Sequence, residues 1–473
     1  MYFLVKGSGK RYIVCGNSLP FFLIGSMLLA QSLDANATMG NSAGAYGAGF
    51  WSGFQFPLGL ALCLILTGLF FAKPLNKMKL MTLPDFYARR YGSSVEVLVS
   101  LLMSFSFAIL VAGNFAGSAW IISMVFEIDY TWALIFISIF ILVYTVAGGL
   151  YSSAATDIVQ IYPAIFGFVG CAFWLYFHYG WDFFSTAIPE NYLDLSGLMN
   201  IKDGALLNWA GIAALAFGDI VALDFMERIF AAKNPDVARK GCFFGAALTL
   251  VTGVACSFIG LMSLKMFPGL TDSRMVLPNM AMLGVPFLFG LFIMGGIIGA
   301  GASTANGGIL GVSTVMGRNL LQKNILPVWN RMFHGGKAVR VTDRKLLFIS
   351  RCMAFPVVAF AIYLAHVKPE PGILLVLAFD VVFAGCLVPL VLGIYWKKAN
   401  APGALAAVIV GTFTRLVLYF YIPEHLAGLD TLISPVVALI AMVSVSLVTQ
   451  EQHASKYEVI YEQPDEDAVL AGL

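Results

Sequence analysis

"AQSLDANATMGNSAGAYGAG", residues 30–49, sits where an apolar run beginning at Leu19 should continue as unbroken helix. It brings in the carboxylate of Asp34, the amides of Gln31, Asn36 and Asn41, and a series of glycines. A second stretch, "LAFGDIVALDFMERI" (215–229), repeats the plan: apolar helix, then glycine and polar residues, then apolar residues again. Two interrupted helices in corresponding places predict a chain built as five helices plus five, inverted, with unwound backbone at the membrane midplane. Unwinding frees carbonyl oxygens, which are ready ligands for a hard cation such as sodium. The alternative is that the glycines only allow helices to pack closely.

Working outward, 59% apolar and 11% charged residues in 473 exclude a soluble globular protein and predict a polytopic membrane protein. Runs such as "PLGLALCLILTGLFFA" (57–72) and "YTWALIFISIFILVYTVAGG" (130–149) have roughly the 20 residues a helix needs to cross hydrocarbon, and strand alternation is absent. The expectation is an all-α domain over residues 1–449 with about twelve spans. It comprises a first five-helix repeat over 18–180, a second inverted repeat over 206–395, two extra helices over 402–449, and a tail over 450–473. Lysine and arginine number 21 in one alternating set of loops and ends and 4 in the other, which places both termini in the cytoplasm of a multi-pass cell-membrane protein. The seven cysteines are scattered through apolar runs with no CxxC, so they read as small packing residues.

Ionisable residues within the spans are few: Asp34, Asp157, Asp219, Asp224, Glu227, Arg228, Arg351, Asp380 and Arg415. Each is costly at that depth and so invites a function. Glu227, Arg228 and Arg351 lie near span ends, where interfacial pairing explains them. Asp34, Asp157, Asp219 and Asp224 lie in or beside stretches of small and polar residues, and four carboxylates without an equally deep set of cations suggest a cation path.

"TLPDFYARRYG" (82–92), "YTVAGGLYSSAATDIVQ" (144–160) and "GAGASTANGGILGVSTVMGRNL" (299–320) resemble signature segments of the sodium:solute symporter family, over about residues 12–420. The resemblance implies the LeuT-type fold and sodium-driven uptake by alternating access. It also implies sodium ligands: backbone oxygens of Ser32 and Ala35 at the first break, the hydroxyls of Ser303 and Thr304, the carbonyl of Ala300, and Asp157 beside them. About five neutral oxygens make a weak, reversible cage suited to an ion that must leave again. Asp34 matches an aspartate at the helix break of the proline branch, in a coupling or supporting role.

Among the branches the choline symporters look nearest, through "GLFFAKPL" (68–75) and "LAFDVVFAGCLVPLVLGIYWKKAN" (377–400). A quaternary ammonium needs several aromatic faces, yet Gly53, Leu110 and Ala222 stand where that branch has tryptophans. Asp219 and Asp224 instead stand where it has glycine and alanine. A carboxylate suits a cation with N–H donors, so the expected solute is a small cationic or zwitterionic nitrogenous compound, with Asn36, Phe54, Gln55, Asp219, Asp224 and Phe225 forming its pocket. On an ideal helix Asp219 and Asp224 do not share a face, and Asp224 pairing with Arg228 four residues on is the structural alternative. A carboxylate, amino acid or neutral solute, proton coupling, or a sensor using the transporter fold are the competing readings. No catalytic motif is present, so an enzyme is not expected. The only partners expected are the solute, sodium as coupling ion with no cofactor, and lipid; nucleic acid is not expected, and the chain reads as a monomer or weak homo-oligomer.

Overall fold

The computed structural model describes residues 8–333, 342–451 and 458. Among these, regular structure is helical apart from one isolated bridge between Leu19 and Ala232. That outcome follows from the solvent: in hydrocarbon each backbone N–H and C=O must be satisfied within its own segment.

The first interrupted crossing is α1 (Phe21–Ser32) followed by α2 (Ala35–Ala48). Next come α3 (Phe50–Lys77), a connecting helix α4 (Pro84–Tyr91), α5 (Ser93–Phe126), α6 (Tyr130–Gly148) and α7 (Leu150–Tyr179). The second series opens with α8 (Ala205–Val221) and α9 (Leu223–Ala231), bent by 47° at Ala222. It continues with α10 (Pro235–Met266), α11 (Phe287–Met332), α12 (Asp343–Val367), and α13 (Pro371–Gly385) with α14 (Leu387–Tyr395), bent by 48°. Two further helices follow, α15 (Ala401–Tyr421) and α16 (Leu429–Val448). Nine described helices are long and apolar enough to cross a membrane, or eleven when each bent pair counts once. With 12 residues α1 is too short to cross alone. The expected twelve spans therefore rest on taking α1 and α2 as one crossing. Of the expected tail, 450–473, all but Gln450, Glu451 and Glu458 lie outside the described residues.

Sequence explains each break locally. At the first, Leu33 (φ −116°, ψ 34°) and Asp34 (φ −69°, ψ 176°) leave helical geometry. Asp34 then acts as N-cap of α2, its Oδ1 accepting from the Ala37 amide at 2.7 Å. An aspartate there satisfies one orphan donor and faces the positive end of the helix dipole, together worth about 1 kcal/mol. At the second, Ala222 turns extended (φ −66°, ψ 130°) just after a π-helical turn over Ala214–Gly218. Such π turns recur at functional sites because they re-aim side chains within a helix.

The two breaks are brought together by small residues. Ala35, the first residue of α2, lies against Gly301 of α11 and Gly117 of α5, where an added Cβ would stand only 2.8 and 2.9 Å from its methyl. Backbone approaches this close are how membrane helices associate when no hydrophobic force separates them from lipid. Leu19 also pairs with the far end of α9, through Leu19 N to Ala231 O (3.0 Å) and Lys233 N to Leu19 O (3.1 Å). The start of the first crossing is thereby fastened to the end of the sixth.

Candidate functional site: a carboxylate-lined central cavity

Where the two breaks meet, the bundle encloses a cavity of about 10 Å³ lined by Gln31, Asp34, Leu60, Leu110, Asp219, Asp224, Phe225, Thr304, Leu375 and Phe379. That is room for about one water molecule. Three of the sequence-picked carboxylates, Thr304 and Phe225 therefore converge, although Asp219 and Asp224 are five residues apart. The bend at Ala222 lies between them and rotates one helix half relative to the other, which an ideal helix could not do.

The three carboxylates are held very differently. Asp34 Oδ1 takes the Ala37 amide, and its Oδ2 accepts from Asn114 Nδ2 (2.7 Å) and Asn36 Nδ2 (3.4 Å). Asp224 Oδ1 accepts from the Phe225 amide at 2.8 Å, and Gln31 turns its amide to donate to Asp224 Oδ2 (2.5 Å) while accepting from Arg228 Nη2 (2.6 Å). Asp219 is 1% exposed, and neither of its oxygens has a hydrogen-bonding nitrogen or oxygen partner; the Cys63 thiol is its polar neighbour.

Beside the cavity a second set of buried polar groups joins α7, α9 and α11. Ser303 Oγ donates to Asp157 Oδ1 and lies 3.1 Å from Ser153 Oγ, which in turn donates to Asp157 Oδ2 (3.2 Å). Arg228 Nη2 donates to Ser153 Oγ (2.9 Å) and stands 3.9 Å from Asp157 Oδ2, while its Nη1 donates to the Asp224 carbonyl (2.8 Å). The i, i+4 pairing of Arg228 with Asp224 thus runs through the backbone carbonyl and Gln31, not through a direct salt bridge. A serine that gives its proton to a carboxylate keeps both oxygen lone pairs for a hard cation. Ser32, at the last position of α1, donates its hydroxyl to Leu28 O (3.1 Å); Leu29 O takes the Leu33 amide (3.1 Å), and the carbonyls of Ala30, Gln31 and Ser32 have no helical donors ahead of them. Ala300 is buried on α11 one turn before the Ser303–Thr304 pair.

Three of the residues named for the solute pocket do not line the cavity. Asn36 packs on Gly113 of α5 and donates to Leu110 O (3.2 Å), because as the second residue of α2 it points across to α5. Phe54 stacks on Phe50 with centroids 5.0 Å apart. Gln55 donates to Ser52 O (2.8 Å) and lines a separate vestibule of about 560 Å³ with Met39, Gly40, Phe56, Asp272, Arg274 and Glu370. In the vestibule lining, Gly40 of α2 abuts Gly372 of α13: a Cβ on Gly40 would lie 2.8 Å from the Gly372 Cα and 2.9 Å from the Phe56 ring. Gln31 was not singled out from sequence, though it stands at the edge of the first interruption. Asn114, Ser153 and Arg228 were missed as site residues because a lone polar residue in a helix gives no sign of its facing partner.

At the vestibule Arg274 grips Asp272 through Nε–Oδ1 and Nη2–Oδ2 (both 2.8 Å), donates to Pro369 O (3.1 Å), and lies 4.9 Å over the Trp120 ring. The opposite, lysine- and arginine-rich end carries a buried ion cluster. There Asp85 accepts from Arg318, Lys323 (2.5 Å) and Asn319 (3.0 Å), and Glu96 from Asn319 (2.7 Å) and Lys323 (3.1 Å). Burial pushes the Asp85 carboxyl upward, but Arg318 and Lys323 outweigh it and hold it well below the usual carboxylate range.

Comparison with known proteins sets this geometry in context. The model of the Sodium:solute symporter family matches residues 12–411. The chain is similar to the human high affinity choline transporter 1, 24% identical over 423 residues, covering 86% of this chain and 70% of the relative. It is also similar to the sodium/pantothenate symporter of Haemophilus influenzae, 24% identical over 418 residues, covering 86% and 84%. Among solved structures, an outward-open, substrate-bound Na+-coupled sialic acid symporter superposes with a TM-score of 0.71 over 94% of both chains at 15% identity. The shared architecture is the LeuT-type fold, and the nearness to choline-branch segments read from the motifs agrees with the choline transporter match.

Proposed function

This chain belongs to the sodium:solute symporter family, and from that premise we propose that it imports a small cationic or zwitterionic nitrogenous solute together with sodium. Asp219 carries the reading: a carboxylate lining the central cavity, buried, with neither oxygen hydrogen-bonded to protein nitrogen or oxygen. Such a group is unfavourable in a low-dielectric interior until a cation or a donor reaches it. An ammonium, amidine or guanidinium supplies both charge and N–H. Asp34 and Asp224 already have their donors, so they shape the local potential while Asp219 receives the solute. Once the cavity opens beyond its present volume of about 10 Å³, apolar Leu60, Leu110, Leu375 and the rings of Phe225 and Phe379 would cover the remainder.

Sodium would be held by the Ser303 and Thr304 hydroxyls and the carbonyls of Ser32, Ala35 and Ala300, with Asp157 adding charge through Ser303. These oxygens belong to α1, α2 and α11, so an ion there ties the first break to α11 and fixes the cavity wall carrying Thr304. Sodium then raises solute affinity, and by linkage the solute raises sodium affinity by the same factor. The cell-membrane orientation that follows from the charge distribution opens the vestibule outward and sets the basic end in the cytoplasm.

A thermal-stability screen of the purified protein against amines, amidines, betaines, amino acids, carboxylates and sugars, with and without sodium, tests this. A ligand that binds only the folded state raises the midpoint by mass action. The expected outcome is stabilisation by an N–H-bearing cation that requires sodium and is lost in Asp219→Asn. Sodium-dependent stabilisation by a sugar or a simple carboxylate alone would show the solute reading to be wrong.

A further inference from the structure

Glu227 takes no part in the site described above, yet it is as poorly satisfied as Asp219. It follows Asp224 by three residues on α9, so the two carboxylates lie on one helix face. Its side chain is buried, and neither Oε1 nor Oε2 has a hydrogen-bond partner. Oε1 faces α11, where a Cβ on Gly311 would stand 3.5 Å from it.

Gly311 lies on the same face of α11 as Thr304 and Gly307, since the steps are three and four residues. Three residues further toward the basic end that face carries Thr314, whose Oγ1 is also buried without a partner. The neighbouring cation makes no hydrogen bond to Glu227. Arg228 commits Nη1 to the Asp224 carbonyl and Nη2 to Ser153 and Gln31, on the cavity side. Toward the basic end, Tyr12 donates to Thr145 O (3.0 Å) and lies 5.5 Å under the Arg351 guanidinium.

We propose that Glu227 and the Thr314 hydroxyl form a second monovalent-cation site, between the central cavity and the basic end, where sodium pauses on its way out of the Ser303–Thr304 site. One carboxylate with neutral oxygens matches a single positive charge and lacks the several carboxylates a divalent ion takes. Glycine at 311 leaves the carboxylate accessible from α11. The inference rests on sodium coupling and is independent of the part given to Asp219.

Equilibrium binding of radiolabelled sodium to the purified full-length protein, at constant ionic strength, is the test. Glu227→Gln keeps the shape and removes the charge, and is expected to lower saturating sodium by one equivalent, whereas Glu227→Asp retains it. Thr314→Val is expected to weaken the same component several-fold. Ser303→Ala with Thr304→Ala should remove a different component and leave that of Glu227. Should Glu227→Gln not fold, Thr314→Val decides alone. A Glu227→Gln or Thr314→Val isotherm superposing on that of the unaltered protein overturns the proposal, and an unchanged isotherm for the double serine–threonine variant overturns only the main sodium-site assignment.

Discussion

Two groups of buried carboxylates stand at different depths of this molecule, and they are built on opposite rules. At the basic end Asp85 and Glu96 are matched by Arg318 and Lys323 and bridged by Asn319. Around the central cavity Asp34, Asp219 and Asp224 share the neighbourhood with one guanidinium, Arg228, which is turned to Ser153, a carbonyl and an amide, with Asp157 3.9 Å away. A matched cluster has its countercharge built in and serves to lock α4, α5 and α11 together. An unmatched cluster leaves charge to be supplied by something that comes and goes. Burial alone does not separate the two groups; the tally of countercharges around each one does.

The sharpest way to break this contrast is to neutralise one member of each group. Asp85→Asn strands the buried Arg318, while Lys323 keeps Glu96, and is expected to cost about 3–5 kcal/mol, the range for removing one partner of a buried pair. It should appear as a large fall in the thermal midpoint in detergent. Asp219→Asn replaces a buried carboxyl that no protein cation pairs and should leave that midpoint unchanged or raised, while lowering uptake at least ~10-fold, as expected for a lost hydrogen bond to a charged group. If both substitutions destabilise alike, the contrast is gone.

Next in size, Ser303→Ala with Thr304→Ala should raise the sodium concentration for half-maximal uptake about 10-fold, equivalent to roughly 1.4 kcal/mol, with little change in the midpoint measured without sodium. Unchanged sodium activation would remove that pair from the ion site. Acid titration sharpens the other half. The Asp85 carboxyl titrates lower in the folded protein than in the unfolded chain, so its contribution is complete above the ordinary carboxylate value of about 4 and fades as pH falls through the lower folded value. Its share of stability should thus be flat between neutral pH and about pH 5 and fall at lower pH, a fall that Asp85→Asn, lacking the titrating group, would not show. Smallest is Lys73→Ala. Lys73 pairs with Asp236 at 2.9 Å, but the two side chains are 45% and 71% exposed, so a change under about 0.5 kcal/mol is expected.

Sequence reached the architecture because its signals were local and coarse. Apolar run length, two polar interruptions and three motif segments suffice to state a helical membrane protein of inverted repeats. The site was legible where chemistry and rarity coincide: Asp34, Asp219, Asp224 and Thr304 all line the cavity. It was not legible where facing direction decides. Asn36 lies two residues from Asp34, yet the cap geometry of α2 swings it toward Gly113. Phe54 and Gln55 sit on α3 beside Phe56, and only the crossing of α3 with α2 and α13 determines that Gln55 and Phe56 face the vestibule. Gln31 acquires meaning solely through Arg228 and Asp224, nearly two hundred positions away in the chain.

The contact between Gly40 and Gly372 has a consequence for how ligands will be found. There α2 and α13 meet backbone to backbone in the vestibule lining, with the Phe56 ring alongside. A single methyl on either glycine is a wedge that cannot be accommodated by rotating a side chain, because what it meets is main chain. Gly40→Ala should therefore raise the population of the form in which α2 and α13 stand apart. For any ligand that enters only through that form, apparent affinity rises in proportion to its population, with no new contact made. Such a variant would report weak solutes that the closed protein conceals.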